Sequence, residues 1–162
     1  MNSQLLTLAR QNYAALLSLS QFLHKRGTWP TGKTPGKDVA MTTYDLFHSL
    51  AWSDRKLNSN EYKLLDAILE EDHAHFGHLD ACIAEMVGLE AKPATVPPII
   101  EAAVAHDNKY GTHFADIALN HLENLGLMII LSDTKVDDIE RFTYKIHFDR
   151  IRSQMNLKTQ SA

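Results

Sequence analysis

The chain has 162 residues, enough for one domain, residues 1–162, with a core of its own. Hydrophobic residues make up 44% and charged residues 22%, which excludes a disordered polyelectrolyte. A net charge of −4 gives nucleic acid or an anionic membrane little to attract, and a cation more.

The one cysteine, Cys82, cannot form an internal disulfide, so no oxidising compartment is implied. The longest apolar run, Leu127–Leu131, is far below the roughly 18 residues of a membrane span. No basic segment followed by an apolar run opens the sequence. A cytoplasmic protein with no membrane span and no nucleic-acid partner is expected.

Residues 4–25 predict an amphipathic helix, with Leu5, Leu8, Leu16, Leu19 and Leu23 at helical spacing and Ser3 placed to cap it. A Pro/Gly-rich loop follows, from Gly27 to Asp38. A second helix is expected from about Asp38 to Ser53, with Ala40, Tyr44, Phe47 and Ala51 on one face. A third starts after Asn58, carries Leu64, Leu65, Ile68 and Leu69, and bends or ends near Gly77. A short fourth helix carries Leu79, Ile83 and Met86 and stops at Gly88. Pro93, Pro97 and Pro98 mark a linker, and a fifth helix starts at these prolines, which suit a first turn. The sixth opens at Thr112 with Phe114, Ile117, Ala118, Leu122, Leu125 and Ile129; its end is apolar nearly all round, so it should lie at the centre. The seventh begins after Asp137 and turns Phe142, Ile146 and Ile151 inward. No β-branched alternation predicts a strand, so the expected fold is all-α with about seven helices.

Ser53–Glu61, SDRKLNSNE, aligns without a gap with Ser132–Glu140, SDTKVDDIE, 79 residues later. Each copy lies between an apolar and an amphipathic helix. A duplicated helix–loop–helix unit predicts a pseudo-two-fold bundle, with halves at about 38–88 and 97–156. Capping alone explains much of the motif. Asn58 and Asp137 stand three residues before Glu61 and Glu140, which is capping-box spacing, and Leu57 and Val136 are placed to staple the loop. Capping leaves carboxylate oxygens over, however. Asp54, Glu61, Asp133 and Glu140 together would offer hard oxygen ligands to Ca²⁺ or Mg²⁺. Neither loop is an EF-hand: the sixth and twelfth positions hold Ser59 and Leu65 in one and Asp138 and Tyr144 in the other.

In these residues the chain resembles the tellurite-resistance TerB family, which is all-helical, internally duplicated and marked by A-D-G-x-[IV]-x-x-x-E after an apolar helix. The resemblance runs from about Ala40 to Met155. It implies a tellurite- or stress-resistance protein that binds divalent cations at Asp54, Glu61, Asp133 and Glu140, or serves as an adaptor for other stress-response proteins, without catalysis. Ser53 and Ser132 stand where the family has alanine, and Arg55 and Thr134 where it has glycine. Arg55 beside Asp54 makes the second loop the better cation site.

Three other patterns compete. GTWPTGKT (Gly27–Thr34) spells a phosphate-binding loop, but that loop needs a preceding strand. Here a helix precedes it and Pro35-Gly36 follows, opposing a helix there, so no nucleotide is expected. EEDHAHFGH (Glu70–His78) offers His73, His75 and His78 to zinc, and pairs Glu70 with His73 at the i,i+3 spacing of a dimetal ligand pair. That cluster carries the alternative reading, a zinc protein or metal-dependent enzyme. His106, His113 and His121 form no group in the sequence.

Overall fold

In a computed structural model, residues 3–51, 59–69, 94–132 and 138–160 are described. Among them are six helices and no strand: α1 (Ser3–Lys25), α2 (Pro35–Ala51), α3 (Ser59–Ile68), α4 (Pro98–Tyr110), α5 (Phe114–Leu131) and α6 (Asp138–Gln160). The fold is all-α. The expected fourth helix around Leu79–Met86, and the stretch toward Gly77, lie outside the described residues, as does Cys82.

The inward face of α1 is Ala9, Tyr13, Leu16, Ser20 and Leu23, recurring every three or four residues. Leu8, expected inside, is 42% exposed, because it stands one position off that stripe, about 100° around the helix. Ser20 is tolerated in the core because its hydroxyl donates to the Leu17 carbonyl at 2.7 Å.

Helix α2 begins at Pro35, not at Asp38. Proline lacks an N–H, and the first helical turn has no use for one, so Pro35 starts the helix rather than opposing it. The preceding loop folds back on itself. Gly27 and Gly32 take φ of 78°, and the amides of Gly27 and Thr28 donate to the His24 and Leu23 carbonyls. Trp29 is buried, and its indole N–H donates to Asp38 Oδ2 at 3.2 Å. These bonds tie the loop to the end of α1 and the start of α2.

Helix α5 sits at the centre, against α1, α2, α4 and α6. By length and composition alone it is apolar enough to cross a membrane, with mean hydropathy 1.3 over 18 residues, of which 44% are buried within the protein. Ala115, Ala118, Leu119, Leu122, Leu125, Gly126, Ile129 and Ile130 are buried, while Ile117, expected inside, is 45% exposed. In α6 the core residues are Phe148, Ile151 and Met155. Phe142, expected inside, is 64% exposed, because it faces away from the stripe 144–148–151–155.

Two pairs of the described helices begin 79 residues apart. Pro35 and Phe114 open α2 and α5, and Ser59 and Asp138 open α3 and α6. Val39, Ala40, Thr43, Leu46 and Leu50 are buried in α2, and so are Ala118, Leu119, Leu122, Leu125 and Ile129 in α5, each 79 residues on.

Candidate functional site

Glu61 and Glu140 are the third residues of α3 and α6. Each is only 1% exposed. Glu140 continues the inward stripe of Tyr144, Phe148, Ile151 and Met155, and Glu61 leads into buried Leu64, Leu65 and Ile68. Both acids sit in a first helical turn, where free amides and the helix dipole favour negative charge. Burying a carboxylate is costly unless it is hydrogen-bonded, paired or on a metal, so two such positions mark structurally committed groups. Asp54 and Asp133, the remaining acids of the motif, lie outside the described residues. So do His73, His75 and His78. Among the described residues, no three His, Cys, Asp or Glu side chains converge closely enough to hold a metal ion.

A second polar constellation lies at the corner between α4 and α5. Gly111, at φ 69°, closes α4 in the left-handed region, and its amide donates to the Asp107 carbonyl at 2.8 Å. The Asp107 carboxylate then turns to the next helix. It accepts the amides of Phe114 at 2.8 Å and Ala115 at 3.0 Å, and the Thr112 hydroxyl at 2.5 Å. The hydroxyl proton goes to the carboxylate, so the Thr112 oxygen accepts from His106 Nδ1–H, 2.8 Å away. His106 is 2% exposed and stacks among Phe22, Tyr110 and Phe114, with centroids 4.5–5.6 Å off. Thus Thr112, expected to open the helix, lies before it. Asp107 caps α5 across the chain reversal, because the His113 side chain makes no cap bond. His121, on α5, is separate: its Nδ1–H donates to Asn12 Oδ1 of α1 at 2.9 Å.

A cavity of about 500 Å³ opens between α2, the 94–98 segment, α5 and α6. Met41, Val96, Leu122, Phe148 and Ile151 make apolar walls; Tyr44, His48, Ser49 and His147 bring polar groups. Gln154 fixes the 94–96 wall from α6, accepting the Val96 amide at 3.1 Å and donating to the Ala94 carbonyl at 3.2 Å. Pro97 and Pro98, legible as a linker, also form part of this wall. The rest of the cavity was hidden in the sequence because its walls run from Met41 to Ile151, in segments far apart along the chain.

Burial, and then the nearby Arg150 charge, lower the His147 pKa from 6.5 to about 4. The folded protein therefore binds fewer protons than the unfolded chain between those values. Stability is full above about pH 6.5 and falls as pH drops toward about 4. Chemical denaturation across that window should lose about 2 kcal/mol, after allowance for residual solvent access. In His147→Gln the loss should shrink markedly; an unchanged profile would reassign the acid sensitivity to other groups.

Comparison with protein-family models, curated proteins and solved structures gives no match to this chain.

Proposed function

We propose that the chain is a TerB-like, internally duplicated helical module that acts by binding, without catalysis, in tellurite or general stress resistance in the cytoplasm. The observation that best supports this reading is the common register of the two halves. Helices α2 and α5 bury matching positions, and α3 and α6, which begin at the same offset, each carry a buried glutamate at their third residue. Duplication with retention of the buried acid is the economical origin of that match, since one helix pair cannot cover its own apolar face. The motif positions Asp54, Glu61, Asp133 and Glu140 supply oxygen ligands of the type that Ca²⁺ and Mg²⁺ prefer. Other stress-response proteins are the partner class, with the module as adaptor.

Calorimetric titration with Ca²⁺ and with Mg²⁺ tests the cation part. The wild-type chain should give a saturable isotherm. Asp133→Asn/Glu140→Gln should lose affinity by about tenfold or more, about 1.4 kcal/mol. Absence of wild-type binding, or equal binding by the variant, contradicts it.

A further inference from the structure

We infer that the cavity between α2, the 94–98 segment and α6 is a binding site for a neutral, largely apolar small molecule carrying one hydrogen-bonding group. This site is separate from the acidic turns and stands without them.

Its volume, about 500 Å³, falls within the range of small-molecule sites. Its apolar walls are built into the core: Leu122, Phe148 and Ile151 are each no more than 2% exposed, so the lining is positioned by packing on all other sides. The 94–96 wall is irregular chain rather than helix, and both Gln154 bonds tie it to α6. A site held in shape before the ligand arrives loses less ordering entropy on binding.

The lining also selects charge. Among the described lining residues there is no lysine or arginine, and Asp45 is the one carboxylate. The apolar walls disfavour an anion, which would lose its hydration on entering. Ser49 and His147 instead provide a hydroxyl and an imidazole suited to orienting a single polar substituent. The His147 imidazole is neutral at pH 7 and so keeps both a donor and an acceptor nitrogen.

The probe is N-phenyl-1-naphthylamine, a neutral fluorophore with one N–H. Wild-type protein should enhance its fluorescence saturably at micromolar concentration, and the probe should raise the Tm. The anionic analogue 1-anilinonaphthalene-8-sulfonate should bind about tenfold more weakly or worse. Ser49→Trp fills the cavity from α2, and Thr95→Trp blocks it from an exposed position where folding is undemanding. Each, with helical circular dichroism intact, should weaken the neutral probe by about tenfold or more. The rival surface is the exposed apolar set Leu127, Leu131, Ile139 and Phe142, and Phe142→Ser should leave binding unchanged. The inference is overturned if the wild type shows no saturable signal, or if both tryptophan variants bind normally. It is equally overturned if the anion binds as well as the neutral probe, or if Phe142→Ser abolishes the signal.

Discussion

Replacing Asp107 by alanine is expected to lower stability by about 2–3 kcal/mol. The carboxylate takes up two amides at the start of α5 and the Thr112 hydroxyl, and that hydroxyl in turn holds buried His106. Alanine leaves the α5 amides without their cap beside the core, and strands the Thr112 hydroxyl. Because α5 is the central helix, loosening its first turn is felt through its contacts with α1, α2, α4 and α6. Urea unfolding should show the midpoint falling with little change in slope, and the Tm should drop by roughly 5–10 °C. Asp107→Asn keeps one acceptor oxygen and should cost about half as much; Thr112→Val, which removes the hydroxyl's bonds to Asp107 and His106 but leaves both amide caps, should cost about 1 kcal/mol. If Asp107→Ala unfolds at the wild-type midpoint, the corner is not a cap.

The second large effect is expected at Gly126. A Cβ there would lie 2.9 Å from Tyr144 Cε2, 3.1 Å from Phe148 Cε2 and 3.2 Å from Leu50 Cδ1. Neither ring moves freely: Tyr144 donates its hydroxyl to the Glu123 carbonyl at 3.2 Å, and Phe148 is 1% exposed. Gly126→Ala gains about 1 kcal/mol of helix propensity but incurs overpacking of about 1–3 kcal/mol, for a net loss of about 1 kcal/mol. Gly126→Val adds two branches against the same rings and should cost about 3 kcal/mol or more, again read by urea unfolding. A Gly126→Val protein as stable as wild type would show that α5 and α6 do not meet there. The position 79 residues earlier is Phe47, fully buried, so at matching places one half presents a large side chain and the other none.

Why some of this was legible and some not follows from how far apart the cooperating residues lie. Local signals worked. Pro98 opens α4 as a first-turn proline, and the motif at Ser132–Glu140 places the start of α6 at Asp138. All-helical architecture followed from the spacing of apolar residues. The choice of inward face was less secure, because several faces carry apolar residues. In α6, Phe142 and Phe148 are equally hydrophobic, and which one enters the core is set by the neighbouring helices. In α1, the smaller Ala9 occupies the contact that Leu8 was expected to make. The Asp107 corner joins a cap to a helix seven residues downstream across a turn, outside the spacing of ordinary capping motifs. The two repeat glutamates were visible as a pattern, but their burial was not: capping predicts a carboxylate at the surface of the first turn, and tertiary packing drew both inward.

The reading of duplicated acidic turns as a cation site is tested most directly by thermal unfolding in excess chelator and in calcium. At calcium well above the dissociation constant, native-state binding should add about 2–3 kcal/mol and raise the Tm by roughly 5–10 °C, with Asp133→Asn/Glu140→Gln showing little shift. The same Tm in chelator and in calcium, or an equal rise in the variant, would leave the turns as helix caps alone.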